Sequence, residues 1–208
     1  MASNMGEEPE INFTQCKCLE DLENLTVAQL KHYTVGTTRN DEIRTLMELL
    51  SALDYKQAVI FTNSSIRSEV LSDVLNHYGY ATGFMHARMP RPLRCLTYAQ
   101  FRRMESDANI MVMSGFGHVM ESEYVDVVIN FDMVESPLAY MHRTSSRQVR
   151  KGMVVTMLRS KEEVEILNQV EKMQHIKLHN LPGAVYARMH NRNTPSPLPT
   201  DADARESF

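Results

Sequence analysis

The chain has no tryptophan, three cysteines and no long apolar run. No apolar stretch reaches the roughly 18 residues of a membrane span, and the polar N-terminus lacks a signal-peptide apolar region, so neither a membrane nor a secreted protein is expected. Cys16, Cys18 and Cys95 leave one thiol unpaired in any disulfide scheme, which fits a reducing compartment. Cys16-Lys17-Cys18 has metal-like spacing but no second Cys or His pair beside it, so no metal site is expected. There is no Gly-x-x-x-x-Gly-Lys-Ser/Thr loop, no Gly-x-Ser-x-Gly and no His-Glu-x-x-His. These absences exclude a nucleoside-triphosphate cradle, a serine-hydrolase elbow and a zincin site. The Asp41-Glu42 pair stands at a predicted helix start rather than after a buried strand, and offers no magnesium carboxylate. Cys95 has His86 near it in sequence, but nothing sets the geometry for thiol catalysis. Internal repeats and a basic localisation run are also absent.

What is present is ordinary in bulk. At 208 residues, 43% hydrophobic and 23% charged, the chain reads as one globular domain with tails. Fifteen methionines give a core that tolerates loose packing. A net charge of −4 argues against nucleic-acid binding until it is divided along the chain. Residues 1–24 hold one lysine against six carboxylates, whereas the body, 25–182, carries a net charge of +1. The arm 1–24 and the stretch 183–208, with its Pro-rich run Asn193–Thr200, read as disordered tails on that body.

Within the body, apolar runs alternate with helical patterns. Strands are expected at Val59–Phe61, Ala81–Met85, Ile110–Met113, Val125–Phe131 and Met153–Leu158. Helices are expected at Asn40–Leu53, after Ser64 with Ile66, Val70, Leu71, Val74, Leu75 and Tyr78 on one face, and at Leu93–Met104. Another follows Ser160, whose spacing to Glu163 is that of a capping box. Strand–helix alternation of this kind makes an α/β domain, a mostly parallel sheet with helices on both faces. Ligands of such sheets bind beyond the carboxyl ends of the strands.

Four segments lie at those ends. Thr62–Arg67 places Ser64 and Ser65 at a helix start, which suits a phosphate or an ordinary N-cap. His86–Arg94 carries Arg88, Arg91 and Arg94, followed by Arg102 and Arg103, a dense basic cluster. It suits a nucleic-acid backbone or a solvated face. Ser114–Ser122 opens with Ser114 and Gly115, which allow close approach to a ligand or a plain turn. His142–Lys151 carries Arg143, Arg147, Arg150 and Lys151, which suit phosphate or an exposed loop.

Taken in order, these segments resemble the second RecA-like domain of a DEAD-box RNA helicase, nearest to the spliceosome and mRNA-export subfamily. The resemblance runs from about Leu25 to Pro182. Lys31-His32-Tyr33-Thr34-Val35 is similar to the family's first strand of this domain, and Gln57–Ser64 to motif IV. His86–Arg94 with Tyr98–Phe101 is similar to an RNA-contacting motif, and Ile110–Ser114 leads into motif V. Val128–Met133 is similar to the strand after it. Tyr140-Met141-His142-Arg143 opens motif VI, which Lys151-Gly152 closes.

The departures bear on activity. Motif V of the family reads Ala-Thr, a few residues, then Arg-Gly-x-Asp. Here His118, Val119 and Glu121 stand for Arg, Gly and Asp, and the segment is shorter. Motif VI, His-Arg-x-x-Arg-x-Gly-Arg, keeps His142 and Arg143, but Ser146 takes the place of the first arginine finger, leaving Arg147 or Arg150 only if the register shifts. Arg88 stands where the family has Gly. The resemblance therefore implies a catalytically degenerate single RecA-like domain that binds RNA or a ribonucleoprotein. Ser64, Arg67, Arg91, Arg94, Ser114 and Gly115 would meet the RNA backbone. Glu121, Arg143 and Arg147 would face nucleotide only if the domain were half of an active helicase. It further implies no cofactor on its own, ATP and magnesium only beside a first RecA-like domain, no DNA specificity, helicase-family protein partners and a nuclear location. A protein-interaction scaffold without RNA is the remaining reading.

Overall fold

The computed structural model describes residues 30–104, 107–115, 125–144 and 152–191. Seven strands form one sheet in the order β3-β4-β2-β5-β6-β1-β7, every adjacent pair parallel. The strands are β1 (Lys31–Gly36), β2 (Gln57–Thr62), β3 (Thr82–His86), β4 (Ile110–Ser114), β5 (Val125–Asn130), β6 (Met153–Leu158) and β7 (Leu178–Asn180). The helices are α1 (Glu42–Ala52), α2 (Ser65–His77), α3 (Arg91–Arg102), α4 (Pro137–Thr144), α5 (Lys161–Gln174) and α6 (Gly183–Asn191).

Strand β2 is buried along its whole length, as a central strand covered on both faces must be. Side-chain alternation then splits the core in two. Ala58 and Ile60 point to one face, where Leu46, Leu49 and Leu50 of α1, Leu71 and Leu75 of α2, and Val185 and Met189 of α6 pack. Val59 and Phe61 point to the other, against Phe101 of α3, Tyr140 of α4 and Leu167 and Val170 of α5. Methionines sit deep in this second layer: Met111 and Met113 are 1% and 0% exposed, and Met85 stands opposite Met113 in the ladder. Gly83 lies opposite Met111, and a Cβ there would already meet its methyl at 3.5 Å.

The strands fall within a residue or two of their expected positions, and Met153–Leu158 coincides. The outcome differs in three places. Helix α2 turns Ser68, Leu71, Ser72 and Leu75 inward and leaves Ile66 and Val70 59% and 54% exposed, so the expected apolar face is rotated. Small hydroxyls explain it: Ser72 hydrogen-bonds Thr82 Oγ1 of β3 at 2.8 Å, and Ser68 donates to Ser65 O. Helix α3 begins at Arg91 rather than Leu93, because Pro92 is tolerated in a first turn that lacks backbone partners anyway. Strand β7 and helices α4 and α6 are not among the expected elements. Helix α6 runs past residue 182, where the sequence places the start of a tail, and its Val185 and Met189 are 6% and 4% exposed. The arm 1–24 lies outside the described residues, as does the stretch from residue 192 on.

Phe101 is fully buried and its carbonyl accepts from Gln57 Nε2 at 2.6 Å, tying α3 to the central strand. Phe101→Ala is expected to cost about 3–5 kcal/mol, read as a lower urea midpoint with an unchanged slope.

Candidate functional site

Parallel strands bring every β–α turn to one edge of the sheet. The ladder sets Thr62, Ser114 and His86 side by side at the ends of β2, β4 and β3. Thr62 Oγ1 donates to Ser64 O and to Met113 O at 3.1 and 3.3 Å, which closes the turn into α2. Ser64 caps that helix, its Oγ accepting from Arg67 N. Gly115 has φ +82, a conformation that favours glycine, and a Cβ there would touch Ala87 Cβ at 3.8 Å. The turn after β4 therefore abuts the turn after β3. Arg94 Nη1 donates to Ala87 O at 2.7 Å and holds that second turn, while Arg91 and Arg88 are exposed. His86 is buried, stacked on Phe84, with Nε2 2.7 Å from Glu69 Oε1 and no hydrogen-bond partner at Nδ1.

The other half of the edge is closed by ion pairs. Glu42 accepts from Arg67 through Oε1 and from Arg159 Nε through Oε2, the latter at 2.7 Å. Asp132 Oδ1 accepts from Arg159 Nη2 at 3.1 Å. Arg67 Nε lies 3.1 Å from Asp132 Oδ2, an ion-pair distance without hydrogen-bond alignment. Both guanidinium groups lie over the Phe131 ring, 4.9 and 5.2 Å from its centroid. Glu163 Oε2 accepts from Arg159 N at 2.6 Å while Ser160 caps α5, so the capping box forms one residue displaced. A cavity of about 220 Å³ opens here, lined by Arg39, Glu42, Asn63, Arg67, Asp132 and Arg159 among others.

Arg143 is held beside this ring. It donates to Asp132 O at 2.7 Å and to Asn63 Oδ1 at 2.6 Å, and lies over Phe61 at 5.4 Å. Burial pushes its pKa down to about 10, with Asp132 opposing the shift, so it stays charged at neutral pH. Its helix is anchored from below. Tyr140 OH lies 2.9 Å from His32 Nδ1 and 3.4 Å from Thr156 Oγ1, and burial pushes the phenol up to about 12. His32 is 1% exposed with no partner at Nε2; burial, then repulsion from His179, lowers its pKa to about 4.

The structure thus gathers Ser64, Arg91, Arg94, Ser114 and Gly115 on one half of the edge. It engages Arg67 in the ring on the other half, with 39% of that side chain still exposed. Glu121, Arg147 and Arg150 lie outside the described residues, as does the side chain of His142. Glu42, Asn63, Asp132 and Arg159 were not anticipated. Asp41-Glu42 reads in the sequence as a plain helix start, yet α1 follows a parallel strand, so its first turn faces the ligand edge. No metal-binding group of His, Cys, Asp or Glu occurs among the described residues.

The helicase conserved C-terminal domain pattern matches residues 41–152, which takes in the strand-end turns and Arg143. The chain belongs to the helicase C-terminal domain family. It is 30% identical over 167 residues to the ATP-dependent RNA helicase WM6 of Drosophila melanogaster, across 79% of this chain and 39% of that protein. Against the ATP-dependent RNA helicase uap56 of Schizosaccharomyces pombe the figures are 29% over 170 residues, 80% and 39%. This helicase domain therefore spans well under half the length of the relatives it matches, which are DEAD-box-type RNA helicases. Among solved structures, the S. cerevisiae Dbp5 C-terminal domain bound to Gle1 and IP6 superposes with a TM-score of 0.67 at 19% identity, over 79% of this chain and all of that one. A DEAD-box protein from Methanococcus jannaschii gives 0.65 at 19% identity, over 76% of this chain and 43% of that one. These two likenesses establish the RecA-like α/β fold.

Arg159 is 9% exposed and serves both carboxylates, so Arg159→Ala leaves two largely buried charges half-paired. The expected cost is about 3 kcal/mol, and a cycle with Glu42→Gln should give a coupling above about 1 kcal/mol by urea denaturation. His32 titrates near its ordinary 6.5 only when unfolded, so the unfolded chain binds the extra proton. Its contribution to stability is complete above pH 6.5 and is lost as pH falls toward 4, with a slope of up to about 1.4 kcal/mol per pH unit. Urea midpoints compared between pH 7 and pH 4.5 should fall less steeply in His32→Gln than in the parent.

Proposed function

We propose that this helicase C-terminal domain binds RNA backbone, alone or in a ribonucleoprotein, and does not hydrolyse ATP by itself. The observation that carries the reading is the strand-end row, where Ser64, Ser114, Gly115, Arg91 and Arg94 come from three separate turns onto one edge. Helix α2 starts there, and so does α3, and helix N-termini favour phosphate. Arginine and backbone contacts of this kind tolerate any sequence and weaken with salt. Arg67 has a positioning part in this scheme: its pairs with Glu42 and Asp132 fix the first turn of α2. Structures of the fold neighbour Dbp5 bound to RNA and ADP BeF3 support RNA as the polymer. A role in RNA processing or export, and a nuclear location, follow the subfamily resemblance rather than any feature of this chain.

The ATP side of the reading rests on residue chemistry. The sequence has no phosphate loop. Arg143, the motif VI arginine among the described residues, donates to Asp132 O and Asn63 Oδ1. Those residues do not make a nucleotide cradle, so no hydrolytic step is assigned to them. The span of 39% of each relative favours a second reading, half of an ATP-dependent helicase completed by a first domain elsewhere. Mixing with a cognate first domain would then restore ATPase activity.

Single-stranded RNA should bind in filter assays at about 50 mM salt, with affinity falling steeply as salt rises. Arg91→Ala with Arg94→Ala should weaken binding about tenfold and lower the salt slope by roughly 1–2. No RNA affinity at low salt, with the fold intact by circular dichroism, removes the proposal.

A further inference from the structure

Helix α3 and the turn before it lie in a long stretch with a single sign of charge. Residues 86–104 hold Arg88, Arg91, Arg94, Arg102 and Arg103 and no carboxylate. The outer face is also apolar. Leu93 is 47% and Leu96 55% exposed, and Met104 beyond the helix end is 47% exposed. Leu93, Leu96, Gln100 and Arg103 follow helical spacing, so they form one stripe. Arg88 and Arg102 flank it, both exposed. A face that joins arginines to leucines fits a partner that joins carboxylates to apolar side chains.

The chain contains such a partner. Residues 1–24 carry Glu7, Glu8, Glu10, Glu20, Asp21 and Glu23 against Lys17, a charge of −5 that balances the five arginines of 86–104. Its last part reads Leu19-Glu20-Asp21-Leu22-Glu23-Asn24, with leucines spaced by three as on α3. Reach allows contact. The segment joins the sheet at Lys31, the start of β1, and α3 ends at the same edge, where Gln57 at the start of β2 bonds Phe101. Strand order puts β2 three places from β1, about 14 Å away at the usual spacing. Residues 19–30, extended, span about 40 Å.

We propose that the acidic segment 1–24 docks in cis on the outer face of α3 and competes with RNA backbone for the same arginines. The docking stands on charge, apolar spacing and reach; the competition rests on the RNA-binding reading above.

The native thiols of the segment allow a direct test. Nitroxide labels on Cys16 and Cys18 of the full chain, with Cys95→Ser, should broaden the amides of Leu93–Arg102 at about 50 mM salt and release them at about 500 mM. The effect should vanish when Glu7, Glu8, Glu10, Glu20 and Glu23 are changed to Gln and Asp21 to Asn, and that chain should bind RNA about fivefold tighter at low salt. Broadening spread over α5 as well, or none on α3, overturns the docking. Transfer of the effect to unlabelled molecules in a mixed sample also overturns it, in favour of a second copy. Docking with equal RNA affinity in both chains overturns the competition. Docking in a chain that binds no RNA overturns the RNA reading and leaves the docking standing.

Discussion

Two carboxylates shared between two arginines set the geometry of the ligand edge. Glu42 comes from α1, Arg67 from α2, Asp132 from the end of β5 and Arg159 from the end of β6, and all close around Phe131. Each element is attached to the sheet by its own apolar face, which fixes its position but not the orientation of its first turn. The ring supplies that orientation. A partly buried ion pair adds little net stability against its desolvation, but half of one is costly, so the network resists losing any single member. Asn63 and Arg143 take their positions from it through the Asp132 backbone and side chain.

The consequence is an edge with two different halves. Over β2, β5 and β6 the charges satisfy one another. Over β2 and β3 the turns are short, β4 runs into a left-handed glycine, and Arg88 and Arg91 lie at the surface. On the proposed reading, an extended polyanion would meet the second half, and the first half is the frame that holds it. Arg67 stands at the boundary, engaged in the ring with 39% of its side chain still exposed.

The parts of this arrangement differed in how readable they were. Buried strands such as Ile110–Ser114 announce themselves, because a strand covered on both faces must be apolar throughout. The ring could not be read in the same way. Arg159 and Glu42 are 117 positions apart, and no local pattern links them. The rule that parallel strands deliver the next helix start to the ligand edge would have placed Glu42 there. The inward face of α2 was hidden by serines, whose hydroxyls pack against Thr82 as well as a small apolar group would. Strand β7, α4 and α6 were missed because three residues of strand and eight or nine of helix carry little periodic signal. The strand-end row, by contrast, followed directly from ordering the apolar runs.

The paired methionines of β3 and β4 have a chemical corollary. Met85 and Met113 face each other across the ladder, with Met111 one pleat away, all nearly inaccessible. A thioether is harmless to packing, whereas its sulfoxide is polar and chiral and does not fit the same space. While the sheet is closed, oxidants cannot reach these sulfurs. Each transient opening exposes them, and a sulfur oxidised in that interval cannot return to its place. Opening under oxidative conditions therefore acts as a ratchet, whose pace follows the population of the open layer whenever reclosing outruns oxidation.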